Sequence, residues 1–181
     1  MEKSELRKQL KAKRSAWEND SHRERQVVGR LQNYFEGKSG TWASYRSIHC
    51  EPDVSSLSGS CPQIRWVYPK VDGDRLKFYT NKLDQWQINS FGSEEPLEQE
   101  SEVSLDTLEG FLIPGMAFDR RGYRLGYGKG FYDQTLKGAR GTKIGVTYSP
   151  FFFDELPNEN HDVPMDEVAT DLEWVRVVDE N

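Results

Sequence analysis

The sequence predicts a single-domain α/β protein, with a mostly parallel central sheet and helices on both faces in a three-layer, Rossmann-like architecture. Three observations support this fold class. Apolar strand-like segments alternate with amphipathic helical segments, and a length of 181 residues suits one domain. A glycine-rich loop directly follows one of the apolar strands, which is where α/β sheets bind ligands.

The chain begins with two predicted helices. Residues 4–17 place leucines on one side and many cations on the other, as an amphipathic helix does. Ser21-x-x-Glu24 is a capping box, so a second helix is expected to begin there and to end near Gly37. A third, short helix is expected over 52–57, because a proline stands near its first turn.

The remaining segments mostly predict strands. They lie at 41–46, 64–68, 76–79, 110–113, 143–148 and 173–178. Asp72-Gly73-Asp74 is a turn signal, so the segment before it should form a hairpin with 76–79. Residues 92–109 hold seven acids, no cation and few large apolar side chains, and are expected to form a surface loop.

The composition excludes several classes of protein. The longest apolar run is far below the roughly 20 residues that a membrane span needs, and the charged N-terminus has no apolar signal core, so we expect a cytoplasmic protein with no membrane contact. We also expect a monomer, although no sequence feature specifies the oligomeric state. A formal net charge of −6 disfavours general nucleic-acid binding. Cys50 and Cys61 match no zinc pattern and are expected to be reduced thiols.

The segment 114–133, PGMAFDRRGYRLGYGKGFYD, is the most informative part of the chain, and we call it the glycine loop. It combines five glycines with four cations. Glycines let backbone N–H groups approach an anion closely, and guanidinium and ammonium groups neutralise it, so the loop predicts a polyphosphate site. A helix predicted over 131–137 would direct its positive N-terminal end at the same anion.

Two better-known phosphate loops do not fit this segment. The closest glycines are spaced Gly126-x-Gly128-x-Gly130, whereas a dinucleotide fingerprint needs GxGxxG. Lys129 is followed by a glycine, whereas a Walker A loop needs Ser or Thr there to hold magnesium.

The glycine loop resembles, without a gap, the signature of the 5-formyltetrahydrofolate cyclo-ligases, also called methenyltetrahydrofolate synthetases. Weaker similarities follow in that family's order at Lys3-x-x-Leu6-Arg7, Glu51, Tyr68-Pro69-Lys70, Glu95-Pro96 and His161-Asp162. The resemblance implies an ATP- and Mg²⁺-dependent ring closure of 5-formyltetrahydrofolate to 5,10-methenyltetrahydrofolate, with release of ADP and phosphate.

The resemblance also implies a set of site residues. ATP-binding residues are expected at Lys3, Ser4, Glu5, Leu6, Arg7, Arg124, Leu125, Gly126, Tyr127, Gly128, Lys129, Gly130, Phe131 and Tyr132. Substrate-binding residues are expected at Arg46, Glu51, Phe91, Phe118 and Tyr132, and Mg²⁺ ligands at Asp133 and Asp162. Arg124 and Lys129 are assigned the catalytic role, because cations stabilise the charge on a transferring phosphoryl group.

The residue types alone leave several of these roles open. Lys3 and Arg7 share a helix face, which suits a phosphate but is also typical of a solvated helix end. Glu51 follows a predicted strand, where its carboxylate could accept two pterin hydrogen bonds or merely begin a helix. Asp133 and Asp162 offer the hard oxygens that Mg²⁺ prefers, although Asp is also common at helix ends and in turns.

Arg46 departs from the family, which often has an apolar residue at this position. It could pair with a glutamate carboxylate of the folate, or point to solvent. Two other functions therefore stay open at this level. One is a non-catalytic nucleotide- or folate-binding paralogue, and the other, which the acidity of the chain disfavours, is an RNA-binding module that stacks bases on its aromatic residues.

Two further points concern aromatic and histidine side chains. Five aromatic residues flank the polar motifs and could enclose a flat ring: Trp42, Tyr45, Phe91, Phe118 and Tyr132. His161 is assigned no role as a base, because the ring closure can proceed with the substrate's own groups.

Overall fold

The computed structural model of the protein describes residues 2–18 and 20–178. Its helices are α1 (Lys3–Ser15), α2 (Ser21–Phe35), α3 (Leu57–Ser60) and α4 (Phe131–Leu136), with 3₁₀ turns at Leu105–Thr107 and Ser149–Phe151. Its strands are β1 (Gly40–Ala43), β2 (Ile64–Asp72), β3 (Arg75–Tyr79), β4 (Trp86–Ile88), β5 (Glu94–Pro96), β6 (Glu102–Val103), β7 (Gly110–Ile113), β8 (Ala117–Asp119), β9 (Arg124–Leu125), β10 (Thr142–Val146), β11 (Phe152–Phe153), β12 (Glu167–Ala169) and β13 (Trp174–Arg176).

The central sheet has the strand order β13-β12-β10-β7-β1-β2-β3-β6. The five strands from β12 to β2 are parallel, while β13, β3 and β6 each pair antiparallel with their inner neighbour. Two small sheets, β11-β8-β9 and β4-β5, stand beside it. The predicted α/β fold with a mostly parallel central sheet is confirmed.

Alternation along the strands separates the apolar side chains into two cores. Trp42 and Leu112 belong to a cluster with apolar residues of α1, α2 and α3, whereas their neighbours Ala43 and Ile113 belong to a cluster with Leu136 of α4. Successive residues of a strand point to opposite faces of a sheet, so helices cover both faces. This is the layer arrangement that the sequence predicts.

Several local predictions are wrong. Asp20, and not Ser21, caps α2, because its carboxylate accepts the backbone N–H groups of His22 and Arg23. The short helix is α3, so the segment 52–57 mostly precedes it.

The acidic segment 92–109 also differs from its prediction. It is not a plain surface loop, since β5 and β6 lie within it and pair with β4 and β3. Five further strands, β4, β8, β9, β11 and β12, were not predicted, because each is a segment of only two or three residues with little periodic pattern of its own.

The hairpin between β2 and β3 is confirmed, with Asp72 paired to Arg75 across the turn. No helix within the described residues combines the length and the apolar character that crossing a bilayer requires.

Candidate active site

A cavity of about 480 Å³ opens where β1 and β7 end at their carboxyl edge. Parallel strands bring their carboxyl ends to one edge of a sheet, so the loops that follow them meet there. The volume is in the range of pockets for small organic ligands, roughly 300–1,000 Å³. The residues that line it are Lys3, Arg7, Tyr45, Arg46, Ile48, His49, Glu51, Pro69, Val71, Leu76, Asn89, Phe91, Ser93, Glu94, Pro114, Arg124, Gly126, Tyr127, Gly128, Lys129, Gly130, Phe131, Tyr132, Asp133, Glu159, His161 and Asp162.

The glycine loop forms one wall of this cavity. It starts at the end of β7, turns back through β8 and β9, and enters α4. Gly128 has φ +97°, a conformation that side chains rarely adopt, and a Cβ on Gly126 would lie 2.8 Å from the Arg124 guanidinium. Backbone conformation therefore favours glycine at position 128, and a side chain at position 126 would displace the Arg124 guanidinium.

Arg124 is held rigidly in the wall. Its guanidinium donates to the carbonyl oxygen of Pro114 at 3.3 Å and to the Asp133 carboxylate at 3.2 Å, and it lies 5.0 Å above the centre of the Tyr132 ring. Its side chain is only 6 % exposed, so the charge is fixed and partly desolvated. A fixed cation in such a place can stabilise anionic charge strongly.

Lys129 is the exposed counterpart of Arg124. Its ammonium lies 5.3 Å from the centre of the Phe91 ring, which in turn packs edge-on against Phe131. Among residues 2–18 and 20–178, no carboxylate forms an ion pair with it. The charge of Lys129 is therefore available to an incoming anion.

Helix α1 joins the site through its first turn. The Lys3 ammonium contacts the Asp162 carboxylate at 2.6 Å and the Glu159 carboxylate at 3.0 Å, while Arg7 donates to the carbonyl oxygen of Gly126 at 2.9 Å. The structure thus brings both predicted α1 cations to the cavity. It leaves the intervening residues of α1 outside the wall, since Ser4 and Glu5 are exposed and Leu6 is in the core.

Glu51 also lines the cavity and is buried, with 5 % of its surface exposed. One carboxylate oxygen accepts the backbone N–H of Ile48 at 3.0 Å, and the other accepts the hydroxyl of Tyr127 at 3.1 Å. Burial raises the pKa of Glu51 to about 7, and the Ile48 hydrogen bond, the nearby Arg14 charge and the Tyr127 hydrogen bond oppose this rise. Burial therefore favours the protonated form of Glu51, while its hydrogen bonds and the nearby Arg14 charge favour the ionised form.

Arg14 is a residue that the sequence analysis missed. It is buried, and its guanidinium donates to the carbonyl oxygens of Gly115 and Met116 at 2.8 Å, while it lies 4.4 Å from the centre of the Phe151 ring. It therefore fixes the start of the glycine loop by hydrogen bonds and places a positive charge near Glu51. Arg14 lies near the end of α1, outside the Lys3-x-x-Leu6-Arg7 motif, so no sequence motif pointed to this role.

Arg46 lies in the cavity wall with its charge already paired. It donates to the Glu94 carboxylate at 2.6 Å and lies 4.6 Å above the centre of the Trp86 ring. This contact joins the segment after β1 to the β4–β5 hairpin. Neither alternative from the sequence, a free cation for a folate carboxylate or a side chain in solvent, describes this arrangement.

The β4–β5 hairpin carries Phe91 to the cavity. The buried Glu95 carboxylate accepts the side-chain amides of Gln87 at 3.1 Å and Asn89 at 3.2 Å, and the Asn89 side chain accepts the backbone N–H of Phe91 at 2.9 Å. An Asn that caps its own turn, followed by Gly92, is a turn signal that could have identified this hairpin from the sequence.

The two predicted metal ligands line the same cavity but are paired with cations. Asp133 accepts from Arg124, and Asp162 accepts from Lys3. Ligand atoms of Glu159, His161 and Asp162 lie within 4.8 Å of one another, which could hold one metal ion. Hard carboxylate oxygens beside the glycine loop fit Mg²⁺, which usually takes one or two carboxylates together with substrate phosphates.

Three of the predicted residues lie in the core instead of the cavity wall. Phe118 has no exposed surface, and its ring fills the space beside Gly145 and Gly115, so it cannot touch a ligand in this structure. Trp42 and Leu125 are likewise buried in the cluster beneath α1 and α2. The aromatic motif pattern predicted Phe118 as a ligand contact because a core phenylalanine and a wall phenylalanine look the same in sequence.

Comparisons with known proteins identify the family. A model of the 5-formyltetrahydrofolate cyclo-ligase family matches residues 1–171. The chain belongs to this family. It is 33 % identical to the 5-formyltetrahydrofolate cyclo-ligase of Mycoplasma pneumoniae, over 94 % of this chain and 99 % of that protein, and 31 % identical to that of Escherichia coli, over 68 % and 71 %.

Solved structures of the family have the same fold. The 5,10-methenyltetrahydrofolate synthetase of Aquifex aeolicus superposes with a TM-score of 0.85 at 33 % identity, covering 100 % of this chain and 95 % of that one. The Mycoplasma pneumoniae synthetase gives a TM-score of 0.78 at 29 % identity, covering 94 % and 99 %. The prediction of an enzyme of the cyclo-ligase family, a ligase of folate metabolism, is confirmed.

Proposed function

We propose that the cavity binds 5-formyltetrahydrofolate and ATP side by side and closes the folate ring to 5,10-methenyltetrahydrofolate, releasing ADP and phosphate. One observation carries this proposal. The buried carboxylate of Glu51 and the cations of the glycine loop face the same cavity. A pterin presents a ring N–H beside an amino group, which a carboxylate can accept together, while ATP presents phosphates for the cations.

The chemistry explains why a nucleotide is needed. The oxygen of a formamide is a poor leaving group, so N10 cannot displace it directly. Transfer of the γ-phosphoryl group forms a bond between the formyl oxygen and phosphorus and breaks the bond to the β-phosphate oxygen, which leaves as ADP. Attack by N10 on the activated carbon then forms the ring bond, N10 loses its proton to water, and the carbon–oxygen bond breaks to release phosphate.

The chain contributes position and charge to this transfer. Lys129 and Arg124 would neutralise the transferring phosphoryl group, and Gly126, Gly128 and Gly130 would offer backbone N–H groups to the phosphates. Glu51 would hold the pterin so that the formyl oxygen faces them. Alignment and electrostatic stabilisation are the main means by which proteins accelerate phosphoryl transfer.

Asp133 and Asp162 are the residues that would hold Mg²⁺, directly or through water. When bound, the ion would neutralise part of the phosphate charge. Both carboxylates pair with cations that we assign to nucleotide binding: Asp133 with Arg124, and Asp162 with Lys3. We therefore infer that these ion pairs are exchanged when the metal and the nucleotide enter together.

A single assay tests the proposal. The purified protein is incubated with 5-formyltetrahydrofolate, and methenyltetrahydrofolate and ADP are measured with and without ATP and Mg²⁺. We expect both products in equal amounts, and only when ATP and Mg²⁺ are present. Binding of both substrates without either product would instead support the non-catalytic paralogue.

A further inference from the structure

Tyr127 lies in the middle of the glycine loop, yet its hydroxyl contacts Glu51, the residue that we assign to the folate. The hydroxyl donates to one Glu51 carboxylate oxygen at 3.1 Å. The preceding residue, Gly126, accepts at its carbonyl oxygen from Arg7 of α1 at 2.9 Å. Gly126 and Tyr127 therefore link α1, which carries the predicted nucleotide-binding cations, to the buried Glu51 carboxylate.

Glu51 keeps unused hydrogen-bond acceptor positions beside its contact with Tyr127. Each carboxylate oxygen can accept about two hydrogen bonds. In the structure one oxygen accepts from the Ile48 backbone and the other from Tyr127. One acceptor position thus remains on each oxygen, and this pair matches two adjacent N–H donors of a pterin. Tyr127 can keep its hydrogen bond while the folate is bound.

We propose that Tyr127 is a positioning residue that couples the two substrate sites, orienting Glu51 for the pterin and anchoring the glycine loop where the nucleotide phosphates bind. This inference rests on the proposed function. A folate that holds Glu51 in its ionised form strengthens the Tyr127 hydrogen bond, because hydrogen bonds to charged groups are the stronger ones. The anchored loop then requires less ordering when the nucleotide binds, and by thermodynamic reciprocity the nucleotide tightens folate binding equally.

The arrangement also has a consequence for pH. The Tyr127 hydrogen bond is one of the contacts that oppose the rise in the pKa of Glu51. The ionisable groups around Glu51 and Tyr127 are Arg14 on α1, Tyr45, His49 and Cys50 after β1, Asp53, Arg124 on β9 and Tyr132 on α4. Removing the hydroxyl should raise the pKa of Glu51 further, so that folate binding is lost at a higher pH than in the wild type.

The test compares Tyr127→Phe with the matched control Tyr123→Phe. Both substitutions remove one hydroxyl from the glycine loop, but Tyr123 is not among the described residues that line the cavity. Calorimetry measures the affinity for a non-hydrolysable ATP analogue with and without 5-formyltetrahydrofolate, and the folate affinity across pH. In the wild type and in Tyr123→Phe, which keep the Tyr127 hydrogen bond, we expect each ligand to tighten the other roughly tenfold, the order of magnitude that one hydrogen bond to a charged group contributes.

In Tyr127→Phe we expect this mutual tightening to fall below about twofold and the pH midpoint of folate binding to move upward. The effects of Tyr127→Phe and Glu51→Gln on folate affinity should not add in the double variant, because the two groups share one contact. Unchanged tightening together with an unchanged pH midpoint would overturn the inference, and so would a wild type that turns over its substrates but binds them independently. A wild type that neither binds nor converts the folate would overturn the proposed function itself.

Discussion

The two binding regions that we propose for the cavity, the nucleotide end at Lys129 and the folate end at Glu51, differ in their electrostatics. At the nucleotide end Lys129 is exposed, and its ammonium has no carboxylate partner among the described residues. At the folate end Glu51 is buried, and burial raises its pKa to about 7. An exposed cation needs only to be nearby, whereas a buried carboxylate needs donors and a compensating charge to stay ionised.

This difference predicts different sensitivities at the two ends. A change at the nucleotide end should remove charge stabilisation during the chemical step and leave the fold intact. A change at the folate end should alter affinity and its dependence on pH. The following variants test this contrast, beginning with the largest expected effect.

Lys129→Ala should lower turnover by roughly 10² to 10³-fold, because one cation beside a transferring phosphoryl group is worth several kcal/mol. Steady-state ADP release measures the effect. The control is Lys137→Ala, which removes an exposed lysine just beyond α4 and should leave the rate unchanged. A Lys129→Ala variant with near-normal turnover would show that the nucleotide end does not depend on this cation.

Glu51→Gln should weaken folate binding by about 10 to 100-fold while nucleotide affinity stays within about twofold. The amide keeps the size of the side chain but replaces one acceptor oxygen with a donor, which opposes the pterin N–H groups. Calorimetry with each ligand separately gives both affinities, and Glu98→Gln, an exposed carboxylate outside the cavity, is the control. Equal weakening of both ligands would assign Glu51 a purely structural role.

The pH dependence of folate binding should follow Glu51. Its folded-state pKa of about 7 lies above the ordinary value of 4.5, so the carboxylate is mostly ionised above pH 7 and mostly protonated below it. A pterin needs the ionised form, so its affinity should fall about tenfold between about pH 8 and about pH 6. Calorimetry at several pH values measures this fall, and Glu51→Gln should flatten it. A wild-type affinity that is constant over this range would contradict the assignment.

Asp162→Asn and Asp133→Asn should each raise the Mg²⁺ concentration for half-maximal rate by a few-fold, the smallest of these effects, because phosphates and water supply most ligands. Their free-energy effects should not add in the double variant, since both act on one ion. Asp154→Asn, an exposed change in the same segment as Asp162, is the control. A magnesium titration of Asp162→Asn that overlays the wild type would remove this residue from the metal site.

The glycines and cations of the glycine loop were visible in the sequence because this part of its information is local. Gly126 and Gly128 meet needs of space and backbone conformation that lie within a few residues, and Arg124 reaches Pro114 and Asp133 within the same loop. The strands β8 and β9 and the buried positions of Phe118 and Leu125 within the loop were not predicted. The alternation of helices and strands, which predicts the parallel sheet, is local in the same sense.

The folate end could be predicted only in part. The position of Glu51 after β1 was visible, but its burial and its contact with Tyr127, 76 residues away, were not. The pairing of Arg46 with Glu94 depends on a hairpin that the acidic segment did not suggest. A core position such as that of Phe118 carries no mark in the sequence that separates it from a cavity wall.

Residue order alone identified the family motif and the fold class and predicted a phosphate site, since these rest on neighbours in the chain. Folding decided which charges are buried, which are paired and which face the same cavity. The physical reason is that the ionisation of Glu51 is set by desolvation and by charges that different elements bring together, Arg14 from α1 and Arg124 from β9. These depend on distances in space and not on distances along the chain.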